Sequence, residues 1–180
     1  MILGNVELSF QNGPQPAVDV LAVVWTAGDP FKDPAPNAIA DWIAGYDESL
    51  RGRVREAMTT AGFSWSDGQR LIIPTGGLLS FSNLLLVGAT PGTPRDWRGW
   101  RHVGRLVRHG LLEAEARRPG LLVERIFPTG LGELSEGLFA PIGPADSARF
   151  RSFTFTGGIA WTVHDRTAVA ETVSRIQKTK

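Results

Sequence analysis

Cysteine is missing from all 180 residues. Its absence excludes disulfides, thiol catalysis and thiolate metal sites together. An excess of one charge is missing too: 19 Lys and Arg stand against 18 Asp and Glu, a formal net charge of +1. No global field draws such a chain to nucleic acid or to an acidic membrane, so neither is an expected partner. No apolar run approaches the ~20 residues of a membrane-spanning helix. The opening Met1-Ile2-Leu3-Gly4-Asn5-Val6-Glu7 lacks the basic start and apolar core of a secretory signal. These absences lead to the expectation of a cytoplasmic protein. Repeats and low-complexity tracts are lacking as well; the 21 glycines and 12 prolines are dispersed and mark turns.

What is present is ordinary in amount and informative in order. The hydrophobic fraction is 42% and the charged fraction 21%, both normal for a globular chain. The length suits one domain over residues 1–180, burying roughly 70% of its unfolded surface. Leu71–Ile73 and Leu84–Val87 are short apolar runs fenced by Gly, Pro, Ser and Asn. Such runs read as strands buried on both faces, in a sheet covered by helices. Val18 to Trp25 reads the same way, Ile2 to Phe10 as an edge strand or hairpin arm, and Leu121 to Phe127 as a further strand.

Between them lie helical periods. Ile39, Trp42, Ile43, Tyr46, Leu50, Val54 and Met58 step by three and four. Asn37 is the expected N-cap, Gly45 a possible break and Gly62 the stop. Asp96 is expected to cap a helix reaching about Arg117, with Trp100, Val103, Val107 and Leu111 inward. Pro128 to Pro144 is glycine-rich and expected to be irregular, with a short helix at Leu131–Phe139. Arg151 to Thr156 alternates, and with Gly157-Gly158 and Ile159–Val163 it reads as a hairpin. Asp165 is expected to cap a closing helix. Strands alternating with helices predict an α/β three-layer sandwich: a mixed sheet, parallel at its centre and antiparallel at its edges, with helices on both faces.

Chemistry is harder to locate. Pro128 to Gly137 follows an expected strand, where open α/β sheets bind ligands. Gly130 and Gly132 there permit close backbone approach to an anion, and Thr129 and Leu131 lie between and beside them. The alternative is a plain tight connection. Gly76, in Thr75-Gly76-Gly77, is a second position of this kind or a turn. Asp19, Asp29 and Asp33 are potential acids or bases; Asp29 and Asp33 sit in a Pro-rich loop suited to ribose or adenine contact, with the role of turn formers as the alternative. Arg98, Arg101, Arg105 and Arg108 form a stripe, either phosphate-binding or a solvated helix face. His102 and His109 share a face without a third ligand, and His-Glu-x-x-His, Gly-x-Ser-x-Gly and Walker patterns are absent. No metal or cofactor is implied.

One family resemblance orders these pieces. Val18-Asp19-Val20-Leu21-Ala22-Val23-Val24-Trp25-Thr26-Ala27-Gly28 resembles the opening strand of the N-terminal domain of leucyl aminopeptidases. Gln69–Pro74 followed by Leu84-Leu85-Leu86-Val87-Gly88 resembles that domain's paired strands, Trp97–Arg117 its Arg- and Ala-rich helix, and Glu136-Gly137-Leu138-Phe139 its Glu-Gly-Leu-Leu segment. The resemblance runs from Val18 to Ala140. It implies a macro-like fold, related to modules that bind ADP-ribose. The family's two-metal peptidase chemistry belongs to a larger C-terminal domain whose Asn-Thr-Asp-Ala-Glu-Gly-Arg signature is absent here, so peptidase activity is not expected. The Asn-Ala-Ala-Asn-like segment of ADP-ribose-binding macro domains is replaced by Trp25-Thr26-Ala27-Gly28-Asp29, while Phe127-Pro128-Thr129-Gly130-Leu131-Gly132 resembles their phosphate-holding strand end and loop. The functional expectation is a non-catalytic module. It would bind an ADP-ribose-like ligand through Asp29, Thr129, Gly130, Leu131, Gly132 and Gly76, or serve protein recognition and assembly, as a homo-oligomer or with another protein. A small hydrolase of an ADP-ribose-like or phosphorylated substrate is the alternative.

Overall fold

The structure is a computed structural model, and the described residues are 2–3, 6–12, 16–25, 30–31, 38–89, 97–122, 128–140, 150–157 and 162–178. In chain order the elements are β1 (Ile2–Leu3), β2 (Val6–Asn12), β3 (Val20–Trp25), α1 (Ala38–Ser49), α2 (Arg53–Ala61), β4 (Arg70–Pro74), β5 (Asn83–Gly88), α3 (Trp97–Glu113), β6 (Gly120–Leu122), α4 (Pro128–Phe139), β7 (Ser152–Gly157) and α5 (Val163–Lys178).

The seven strands form one sheet in the order β1-β2-β7-β6-β3-β5-β4. The five inner strands are parallel, and β1 and β4 pair antiparallel at the two edges. The expected α/β sandwich, parallel in the middle and antiparallel at the margins, is the architecture the chain adopts. β3 is buried at every position, as a strand with helices on both faces must be. Its odd-numbered residues, Leu21, Val23 and Trp25, join Leu84, Leu86 and Leu122 against α1 and α2. Its even-numbered residues, Val20, Ala22 and Val24, join Leu85, Val87, Leu121, Phe153 and Phe155 against α3, α4 and α5. The period of two along β3 thus separates two cores.

Several elements differ from their sequence reading. Ile2 to Phe10 divides into β1 and β2 rather than forming one strand. Leu71–Ile73 is not a strand buried on both faces. It lies in the edge strand β4, half-exposed over most of its length. The expected helix break at Gly45 falls instead at residues 50–52. Gly45 is on the solvent side of α1 and has nothing within 4 Å of its absent Cβ. Arg51 and Gly52 turn the chain at φ +58° and +82°. The buried Asp47 carboxylate then caps α2, accepting from the backbone N–H of Val54 (3.0 Å) and Arg55 (3.1 Å). Gly62 does stop α2, at φ +61°, where Gly62 N–H donates to Thr59 O (3.2 Å) and Phe63 N–H to Met58 O (2.8 Å).

Helix α3 ends at Glu113, short of Arg117, because Glu115 reverses the chain at φ +55°. Pro128 to Phe139 is not irregular but the helix α4, and residues 141–149 lie outside the description. The hairpin expected from Arg151 to Val163 does not form: both edges of β7 are taken, by β2 and by β6, and Val163 already belongs to α5. The cap of α5 is Thr162 rather than Asp165. Asp165 N–H donates to Thr162 Oγ1 (3.2 Å) while Thr162 N–H donates back to Asp165 Oδ2 (2.8 Å). That reciprocal pair is a capping box. The proposed caps Asn37 and Asp96 fall outside the described residues, as does the strand expected to continue through 123–127.

Tyr46 on α1 is 3% exposed and meets Phe81 edge-on at 5.6 Å. Burial pushes its phenol well above the ordinary tyrosine range. The unfolded chain ionises its tyrosine near pH ~10 while the folded chain keeps the proton. Stability from this group is therefore complete below pH ~10 and is lost as pH rises beyond it. Urea midpoints measured between pH ~8 and ~11 should fall for the natural chain and fall less for Tyr46→Phe. Tyr46 is the single tyrosine, so tyrosinate absorbance reads it alone; onset at the ordinary pH would contradict the burial.

Candidate ligand site

Parallel strands β2, β3, β5, β6 and β7 end together at Asn12, Trp25, Gly88, Leu122 and Gly157. At this edge β3 occupies a special place. The helices that follow it, α1 and α2, cover one face, whereas those that follow its neighbours β5 and β6, α3 and α4, cover the other. The carboxyl edge at such a point, where neighbouring strands are followed by helices on opposite faces, is the common ligand position in open α/β sheets.

The sequence candidates distribute unevenly about that edge. Thr129, Gly130, Leu131 and Gly132 occupy the first turns of α4, which begins six residues beyond the end of β6. A first helical turn leaves backbone N–H groups without intrahelical acceptors, and Pro128 removes one of them. The sides of the two glycines are already occupied. A Cβ on Gly130 would lie 2.8 Å from Trp100 Nε1, and one on Gly132 would lie 3.2 Å from Thr172 Oγ1. These glycines admit α3 and α5, and Leu131 is buried in the core, so what α4 offers a ligand is backbone. Gly76 is far from them. It turns the chain between β4 and β5 at φ +61°, beside Pro74 and Asn83, at the opposite edge of the sheet. Asp29 and Asp33 lie outside the described residues.

Other candidates prove structural. Asp19 accepts from the N–H groups of Val20 (2.9 Å), Arg117 (2.8 Å) and Arg118 (2.9 Å). It ties the start of β3 to the turn before β6 and is not free to act as an acid or base. The arginine stripe is not one face: Arg101 is half-buried, Arg105 is exposed, and Arg108 is buried and donates to Ala140 O. Glu136 on α4 joins Arg101 of α3 (3.1 Å) to Arg175 of α5 (3.7 Å). Neighbouring Glu133 has its carboxyl raised by desolvation first, then by a hydrogen bond to Glu136 and its charge, with Arg175 and Arg101 opposing. His102 pairs with Asp67 (3.2 Å), and His109 and His164 are exposed. Among the described residues, no group of three or more His, Asp or Glu could hold a metal, and no helix is long and apolar enough to cross a membrane.

Two features carried no singled-out sequence signal. One is Trp65, buried in a polar stretch, Ser64-Trp65-Ser66-Asp67-Gly68-Gln69, where a lone large aromatic among turn formers was the available clue. The other is the contact between Gly104 on α3 and Gly137 on α4, where the helices touch backbone to backbone.

No family model and no curated protein matches the chain by sequence. Solved structures do match by shape. A macrodomain from Oceanobacillus iheyensis, solved with ADP, superposes with a TM-score of 0.63 at 9% identity, covering 100% of this chain and 96% of that one. The chain has a macrodomain fold. A tomato leucine aminopeptidase mutant matches with a TM-score of 0.68 at 14% identity over 93% of this chain, and the bottromycin maturation enzyme BotP, in complex with Mn, with 0.57 at 18% over 91%. This chain spans 35% of the aminopeptidase and 30% of BotP. The resemblance to the aminopeptidase N-terminal domain is thus met in the fold, at identities that speak for the fold alone.

Proposed function

We propose that this macrodomain-fold chain is a non-catalytic module that binds a nucleotide-type ligand of the ADP-ribose class at the carboxyl edge of its parallel strands. The observation that carries the reading is the strand order at β3, where adjacent strands are followed by helices on opposite faces of the sheet, the point at which open α/β sheets commonly bind ligands. The backbone N–H groups at the start of α4, those of Thr129 and Gly130, take the phosphates, as helix starts do; Leu131 and Gly132 complete that turn, where bonding within the helix takes over. Asp29, following β3, takes the ribose or adenine. Gly76, at the far edge, has no part in it. The likeness to a macrodomain solved with ADP supports the ligand class.

Calorimetric titration with ADP-ribose tests the proposal. Micromolar binding is expected, weakened about ten-fold or more in Thr129→Glu, whose carboxylate repels phosphate yet suits a helix N-terminus and so spares the fold. No heat at millimolar ligand would overturn it. The same fold would then be read as a recognition and assembly domain, in keeping with the third of a larger enzyme that it matches.

A further inference from the structure

The sheet ends differently on its two sides. β1 closes one side with two residues, a length that offers little to pair with. β4 closes the other with five, Arg70-Leu71-Ile72-Ile73-Pro74, and β5 is its one neighbour in the sheet. The middle of β4 carries no charge, and Leu71 and Ile72 are half-exposed. An exposed apolar edge is a template for a further strand.

Which backbone groups face outward follows from the ladder. Gly88 N–H donates to Gln69 O (2.9 Å) and Thr75 N–H to Ser82 O (2.9 Å). Gln69 and Thr75 bracket β4, and antiparallel pairs alternate in their bonding. Leu71 and Ile73 therefore turn their N–H and C=O groups to β5, and Arg70, Ile72 and Pro74 turn theirs away. Pro74 sits where its missing N–H takes no bond from β5, the place a strand can hold proline. The outer row is thus the N–H and C=O groups of Arg70 and Ile72 and the C=O of Pro74. No hydrogen bond among the described residues uses any of them. The side chains divide by the same alternation: Leu71 and Ile73 lie on the α1–α2 side and Ile72 on the α3 side.

We propose that a second copy of this chain pairs antiparallel with β4, about a two-fold axis through Ile72, so that the two sheets become one. In that register Ile72 N–H of each copy donates to the C=O of the partner's Ile72, and Arg70 N–H donates to the C=O of the partner's Pro74. Every outward N–H of the strand finds an acceptor, and its five residues overlap from end to end. Sliding to the next register that keeps the outer rows together leaves just Arg70 to Ile72, or Ile72 to Pro74, in contact.

The side chains fit the same register. Leu71 meets the partner's Ile73 on one face, and Ile72 meets the partner's Ile72 on the other, as cross-strand apolar pairs. Arg70 meets the partner's Pro74 rather than a like charge, and keeps Glu113 of its own chain (2.8 Å). A two-fold axis supplies the match for both rows from one surface, which is what makes the occupant a second copy. The contact is small beside the ~1,200–2,000 Å² of a stable interface, so the dimer dissociates at micromolar concentration or above. The surface does not depend on the nucleotide reading, because it involves neither α4 nor Asp29.

The absence of cysteine makes the test direct. Opposed hydrogen-bonded residues of antiparallel strands have Cα atoms about 5.5 Å apart, within reach of a disulfide. In the full chain under oxidised glutathione, Ile72→Cys should cross-link to itself about ten-fold faster or more than Leu71→Cys. Leu71→Cys mixed with Ile73→Cys should cross-link as a heterodimer. Sedimentation velocity of the natural chain should pass from monomer at ~1 µM to dimer at ~1 mM. Ile72→Pro, which removes an outward N–H and no bond to β5, should raise the dissociation constant about ten-fold or more. A natural chain that stays monomeric at ~1 mM overturns the proposal and leaves the edge to an extended segment of another protein. Leu71→Cys linking to itself as fast as Ile72→Cys, or a dimer that Ile72→Pro leaves intact, overturns it as well.

Discussion

Gly104→Ala should destabilise the protein by about 2–3 kcal/mol or more. The sign is what makes the result informative. Glycine inside a helix is about 1 kcal/mol worse than alanine, so on propensity alone the substitution would stabilise α3. Packing decides otherwise. A Cβ on Gly104 would lie 2.2 Å from Leu134 O and 3.0 Å from Gly137 Cα. Gly137→Ala meets the same fate from the other side, its Cβ 2.2 Å from Arg101 O. These neighbours are backbone, which cannot rotate aside, so α3 and α4 must separate and draw Val103, Val107, Leu134 and Leu138 out of the core. Because either alanine forces the same separation, the double variant should cost less than the sum of the two. Chemical denaturation of the three variants reads this. Any gain in stability from either single variant would mean the helices do not cross there.

That pair also marks where sequence reading stopped. Glycines far apart in sequence on different helices look like weak points until the partner helix is known, and the same holds for the sides of Gly130 and Gly132, which admit Trp100 and Thr172. Signals contained within one element were legible. The apolar runs of β3 and β5 announced buried strands, the three-four stepping from Ile39 to Met58 announced helices, and Gly62 announced a left-handed stop. Signals that depend on a distant partner were not. Asp47 caps a helix that begins six residues later, through a turn that no local motif describes. Leu71–Ile73 is as apolar as a central strand, yet nothing in it tells that only one neighbour will pair with it. On the functional side, the alternation of elements made a ligand position beyond a strand end inferable, but the strand order that singles out β3 was not.

The strand β7 shows the same limit and allows the sharpest test of topology. Its alternation is consistent with a hairpin to the segment that follows, or with a place between two strands drawn from elsewhere. In the structure it lies between β2 and β6, with Phe155 in register with Phe10. Phe155 is fully buried, stacks on Phe10 at 5.4 Å and lies 5.0 Å from Phe153. Phe155→Ala should therefore cost about 3–5 kcal/mol, the usual loss for a buried phenylalanine. That is a large share of the ~5–15 kcal/mol that holds a domain together. Phe155→Leu, which keeps most of the volume, should cost less than half as much. Size of effect alone would not distinguish the two topologies, since a hairpin strand would also bury Phe155. The coupling with Phe10 does. In a double-mutant cycle of Phe10→Ala and Phe155→Ala, stacked rings should show about 0.5–1.5 kcal/mol of interaction energy. Strictly additive losses would place the two residues apart and return β7 to the hairpin.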